Sequence, residues 1–393
     1  MEMKSGGLTS RAAGGAAHAL VTLQVPSDHP DPVAQMRVAF GEDDPEQIFL
    51  FMSPSGDLGA LGAACRTHFP NSDITGCTTA GEIGPAGYLD DHLVAIALPR
   101  RHFRTRTVLI ENLDALDSQS LIDRLVQERI TLTRENPERP NGFAFLLVDG
   151  MSLREDMLAG TIAPALGTFP VFGGSAGDGM RFQETRVLHD GLLYDNAAVL
   201  TFAVTDCGTR VFSLDHLVPT GTRMVVTDAD PDRRVVKEIN AEPAAQEYAR
   251  IIGKTAGDLD EFTFAAHPVV VRLGDTHHVR SIQRVGDDGE LHFFSAIDEG
   301  MVLTVANAQD LSVHLEAELA RLSETERPAD ILGCDCLLRK IEAEQSQIKQ
   351  AVSDVLQRNR VVGFSTYGEQ IGPMHVNHTM TGVAFYLPER ALR

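Results

Sequence analysis

Three groups of residues have types and spacings suited to chemistry. GGSAG (Gly173 to Gly177) matches the Gly-x-Ser-x-Gly elbow on which hydrolases raise a serine nucleophile. That elbow needs a strand before Ser175 and a helix directly after it. The strand pattern is present, but the following DGMRFQETRV reads as loop and strand, so a hydrolase using Ser175 is the lesser alternative. Cys334-Asp335-Cys336 closes another strand pattern. Strand alternation points both thiols the same way, which suits soft-metal binding or redox sensing, and equally suits two small residues finishing a core strand. A zinc site needs a second ligand pair, and His375 and His378, three apart, fall on opposite faces of a strand. Arg339 lies near a helix start, where a cation opposes the helix dipole, so it calls for a carboxylate or an anionic ligand.

Among the fourteen histidines, His375 stands apart. It follows a glycine-rich loop, inside HVNHTMTG between Gly372 and Gly382, and faces strand ends where Cys336 and Glu369 also fall. A neutral imidazole there can ligate iron if a hydrogen bond fixes its second nitrogen, with Glu369 or Asn377 close enough in sequence to serve. The alternative is a hydrogen-bonded loop residue supporting the Gly372 turn. His216 and His267, beside apolar runs, come next in order. The chain contains no Cys-x-x-Cys-His for covalent haem, no phosphate loop, no dinucleotide glycine fingerprint and no His-Glu-x-x-His.

The elements that must position these residues recur. PEQIFLFMSPSGDL (Pro45 to Leu58), NGFAFLLVDGMSLRED (Asn141 to Asp156) and PADILGCDCLLRKIE (Pro328 to Glu342) each run from an apolar strand through a small or polar turn into a helix. The helices end at glycine loops of similar spacing, with Gly76 and Gly81, Gly173 and Gly177, and Gly363 and Gly368. Glu82 and Glu369 hold one offset, and the middle loop, with Asp178, is a residue shorter. An apolar strand follows each loop. Three copies of strand, helix, strand, loop, strand predict an α/β fold with parallel neighbours, and such sheets bind ligands beyond strand carboxyl ends. Between the second and third copies, RVFSLDHLV, TRMVVTD, PVVVRLG, HHVRSIQRV, GELHFFSAI and MVLTVAN predict an antiparallel, strand-rich insert. Leu337 to Arg358 reads as one polar helix, either solvated or a partner surface. The fold class is therefore mixed α+β in two domains, with a boundary near Ala241 and a disordered N-terminus over residues 1–17.

Composition bounds the function. The 34 Lys plus Arg against 55 Asp plus Glu give a net charge of -21, which repels nucleic acid and anionic membrane surfaces. The first stretch lacks a secretory apolar core, and no apolar run is long enough to cross a bilayer. Five cysteines, an odd number, argue against a disulfide framework and for a reducing, cytoplasmic setting.

With these motifs in view, the sequence resembles the FIST sensory proteins. GCTTAGEI and FGGSAGD are similar to the FIST-N domain, here 18–241. LGCDCLLRK and VVGFSTYGEQIGPMHVNHTMTGVAFY are similar to the FIST-C domain, here 242–393. DCLLR followed by TYGEQ and HVN resembles the bacterial NosP subgroup of haem-binding nitric oxide sensors. The resemblance implies a non-catalytic sensor of a small ligand, with haem b and nitric oxide as the expected pair. A non-haem small molecule such as an amino acid is the alternative. The quoted motifs and the position of His375 give a candidate ligand or haem-iron site of His375, Asn377, Tyr367, Glu369, Cys336 and Arg339. No kinase, cyclase or receiver segment is visible, so the expected output is to a separate signalling protein, such as a histidine kinase or a cyclic-di-GMP enzyme.

Overall fold

The three repeated segments fold alike in the computed structural model, which describes residues 18–273 and 276–388. The expected disordered N-terminus, residues 1–17, lies outside the described residues. In each repeat the first apolar strand is buried along most of its length, as a strand covered on both faces must be. A helix then returns the chain to a parallel neighbour. Gln47–Met52 pairs with Asp73–Thr78, Asn141–Val148 with Val171–Ser175, and Asp330–Cys336 with Val361–Thr366. A short hairpin follows, and a final strand returns antiparallel on the other side of the first: His92–Leu98, Ala198–Thr205 and Met380–Tyr386.

The hairpins do not stay with their own sheets. Glu82–Gly84 and Gly87–Leu89 of the first repeat extend the third sheet. Val187–His189 and Leu192–Tyr194 of the second extend the first. Glu369–Ile371 and Met374–Val376 of the third extend the second. Each of the three sheets thus has six strands in the same order, closed by a strand that precedes the repeat: Val21–Pro26, Phe103–Ile110 or Gly208–Leu214. The exchange is cyclic.

The inner faces share one core in which Phe51 stacks on Phe364 with centroids 4.4 Å apart and meets Phe145 edge-on. Each outer face carries helices, including Leu58–His68, Ser118–Glu135 with Glu155–Leu166, and Leu311–Leu322 with Lys349–Arg358. Asp57 starts the first of these by accepting from the Ala60 amide at 2.8 Å, a standard N-cap. The repeating glycines have a steric cause. Gly76, Gly173 and Gly363 stand opposite Leu50, Leu146 and Gly333, and a Cβ at any of them would collide with that partner's carbonyl oxygen.

The insert interrupts the third repeat. Leu217–Asp230 through Val302–Ala308 form a separate antiparallel sheet around Val236, Tyr248, Phe264 and Leu303. Two sequence readings need correction. Gly208–Leu214, read as part of the insert, is an edge strand of the third sheet, because its apolar side chains pack beside Met380–Tyr386. The segment Leu337 to Arg358 is two helices, Leu337–Gln345 and Lys349–Arg358, broken at Gln347 with φ +58°. Leu337 to Ile341 are all buried, so the first helix reaches solvent only toward its C-terminal end, from Glu342 onward.

Candidate functional site

The predicted site residues converge on the carboxyl ends of the third-sheet strands, packed between the second repeat and the insert. His375 is 1% exposed, and both ring nitrogens are engaged. Its Nδ1 accepts from Gln370 Nε2 at 3.1 Å and its Nε2 donates to the Phe294 carbonyl at 3.3 Å. Burial lowers its pKa, which keeps the ring neutral. The bonds continue as a closed circuit. Gln370 Nε2 donates to Ser175 Oγ at 3.0 Å, and Ser175 reaches Glu155 at 3.5 Å. Arg234 joins Glu155 to the same Phe294 carbonyl. Asn377 instead bonds Ser295, and Glu369 accepts from Thr366 and the Thr379 amide, so neither supports the His375 ring as expected. Burial pushes the Glu369 carboxyl well above the usual carboxylate range.

A second chain of polar groups begins at Arg339, which is fully buried. Its partner is a carboxylate: Nε donates to Asp335 Oδ1 at 2.6 Å, and Nη1 donates to His216 Nδ1 at 3.1 Å. Tyr88, from the first repeat's hairpin, also donates to Asp335. His216 continues to Glu342, which His378 also reaches. Cys334 and Cys336 are free and buried, and burial raises both thiols well above the ordinary value. Tyr367 turns to the second repeat, where its hydroxyl meets Asp178 and its ring stacks on Phe182 at 4.5 Å.

Beyond Asp178 lies an open cleft of about 480 Å³, lined by Ser55, Asp57, Thr78, Arg181, Arg186 and Leu193 among others. It stands at the carboxyl ends of Gln47–Met52 and Asp73–Thr78, beside the start of helix Leu58–His68, which is where a parallel α/β sheet leaves a crevice. Its lining carries both signs of charge, Asp57, Asp178 and Glu184 with Arg181 and Arg186, of which Arg186 pairs with Glu184 at 2.6 Å.

Residues 47–242 match the family model of the FIST N domain, and residues 244–372 match that of the FIST C domain. The chain belongs to the FIST family. No curated relative matches it. FIST domains are small-ligand sensory domains of signalling proteins, and the mixed α/β architecture with two matched domains agrees with that arrangement. In this FIST protein the two domains interlock, since the first repeat's hairpin pairs with Val361–Thr366 and the third repeat's hairpin with Val171–Ser175.

The packing around His375 does not fit haem. Iron ligation needs a free ring nitrogen and open space on one side of the imidazole. Both nitrogens are bonded, and the ring lies so close to Gly368 that even a Cβ there would collide with it. The His216 side chain is likewise fully buried, packed against Arg339, Glu342 and His378, which leaves no room for a macrocycle beside it. Ser175 is fully buried and meets Gln370 and Glu155 rather than a histidine, so it lacks the directly bonded base that activates a serine. Sequence reasoning found the His375 and Arg339 neighbourhoods through their loops. It missed Arg234 and Glu342, whose partners Glu155, His216 and His378 lie far away in sequence, and Arg181, Arg186 and Gln370, whose neighbouring partners form no recognisable motif.

Proposed function

We propose that this chain senses a small zwitterionic molecule of the amino-acid class, bound in the cleft lined by Asp57, Arg181 and Arg186. The observation that carries this reading is the cleft's mixed charge at a strand-end crevice, one bond away from Tyr367. Arg181 suits a ligand carboxylate and Asp57 an ammonium group, while Arg186, paired with Glu184 at 2.6 Å, can exchange that partner for the ligand's carboxylate. Leu193 and the stems of the arginines cover an apolar side chain. Ligand contact at Arg181, whose Nε donates to the Asp178 carbonyl, bears on the Asp178–Tyr367 bond. From Tyr367 the contacts run through Phe182 to Phe294, and through Ser175, Gln370 and His375 to the same residue of the insert, which gives binding a route to the second domain. The output is to a separate signalling protein, such as a histidine kinase or a cyclic-di-GMP enzyme.

Calorimetric titration of the full chain with the twenty amino acids, and with hemin in parallel, tests this. One or a few amino acids should bind, and Arg181→Gln with Arg186→Gln should weaken binding at least tenfold. Binding of hemin alone, or amino-acid affinity indifferent to both substitutions, defeats the reading.

A further inference from the structure

His216, Glu342 and His378 come from three separated segments: the link after strand Gly208–Leu214, the helix Leu337–Gln345, and the turn before strand Met380–Tyr386. Their ligand atoms lie within 4.8 Å of one another. His216 Nε2 is 3.0 and 2.9 Å from the two Glu342 oxygens, and His378 Nε2 is 2.9 Å from Oε2. Both imidazole side chains are fully buried. Glu342 keeps 14% exposure and lines a cleft of about 610 Å³ with Gln309, Asp310 and Gln345, so the cluster has a way in from solvent. None of that cleft's lining residues is Lys or Arg.

We propose that His216, Glu342 and His378 bind one divalent transition ion of borderline softness, such as zinc, with the fourth coordination position open to the cleft. Two imidazole nitrogens and a carboxylate are the ligand types such an ion takes, and three protein ligands leave room for water or a further ligand. A tetrahedral ion with bonds of about 2.0–2.2 Å holds its ligand atoms about 3.3 Å apart. The two nitrogen–oxygen separations, now 2.9 Å, need to widen by only a few tenths of an ångström, and the two imidazole nitrogens already lie within 4.8 Å of each other.

The protons are accounted for. Both rings now direct Nε2–H at Glu342, and these protons move to Nδ1 when the ion takes the Nε2 lone pairs. His378 Nδ1 has no hydrogen-bond partner, so its shift breaks nothing. His216 Nδ1 accepts from Arg339, so Arg339 must turn aside. Its Nε stays on Asp335, and its Nη2 is without a partner and free to be redirected. Ion binding therefore moves Arg339 within the Tyr88–Asp335 network that ties the first repeat to the third.

The test uses the full chain, stripped of metal and titrated with zinc against a chromophoric chelator, then with cobalt(II). One zinc per chain is expected. Cobalt should give the intense visible absorption of a tetrahedral site without a thiolate charge-transfer band. Glu342→Gln and His378→Asn, the latter chosen because asparagine tolerates the φ of +53° at that position, should each lower affinity by about 10- to 100-fold while circular dichroism stays native. No stoichiometric zinc, a thiolate band, or unchanged affinity in either folded variant overturns the site. If neither variant folds, the cobalt spectrum of the unaltered chain decides it.

Discussion

The hydroxyl of Tyr367 donates to the carboxylate of Asp178, binding the third repeat to the loop of the second. Burial alone would raise the Asp178 carboxyl. Tyr367 and the amides of Phe182, Gln183 and Glu184 outweigh it and hold the group below its usual range. Tyr367→Phe removes a buried bond to an ionised group, which costs about 1.5–3 kcal/mol. Urea unfolding should show that loss. If the cleft signals through this bond, ligand binding should persist in the variant while its effect on the insert, followed by hydrogen exchange near Phe294, disappears.

Stability should fall as pH rises through the weakly acidic range. Burial raises the Glu82 carboxyl from 4.5 to about 7, against the opposing bonds from Thr79 and Ser53. The folded state therefore holds a proton that the unfolded chain has released. This contribution is complete below pH 4.5 and lost as pH climbs to about 7, amounting to at most about 3 kcal/mol. Thermal unfolding of Glu82→Gln between pH 5 and 8 should show a flatter profile than the unaltered protein. An identical slope would remove Glu82 as the cause.

Ser175→Ala should cost only about 1 kcal/mol, the worth of a neutral buried hydrogen bond to Gln370. No ester should turn over with either form, and a serine-directed fluorophosphonate should leave Ser175 unlabelled. An adduct at Ser175 would require the serine to be reachable and activated, contrary to its bonding.

Two glycine substitutions should differ in sign. Gly173→Ala drives a methyl group into the Leu146 carbonyl and should cost more than about 3 kcal/mol, or prevent folding. At Gly160, inside helix Glu155–Leu166, an added methyl group would meet nothing within 4 Å. Gly160→Ala should gain about 0.5–1 kcal/mol through helix propensity. Denaturation midpoints of the two variants measure this directly.

The repeats were legible because buried parallel strands leave continuous apolar runs, and because a backbone that close to its neighbour admits only glycine. The recurring acid was also legible. Glu82 and Glu369 each accept from a threonine three residues earlier, Thr79 and Thr366, so loop length fixes the offset. Hairpin exchange left no such trace, since a hairpin pairs equally well with its own sheet or another until three repeats are present together. The true partners of His375 were hidden for a related reason. Gln370 lies five residues away, but Phe294 comes from the insert, and no local pattern announces a bond across that distance. The break at Gln347 escaped notice because the polar face continues through it.

The hairpin exchange also sets an order of assembly on the ribosome. The first sheet can close once the chain has reached Tyr194. The second exposes the edge of Val171–Ser175 until Glu369–Ile371 is synthesised, after the whole insert has emerged. An unpaired edge of that kind invites pairing with another chain. A nascent molecule is thus most vulnerable to aggregation while the insert is being made, and a chaperone bound during that interval would shield this one strand.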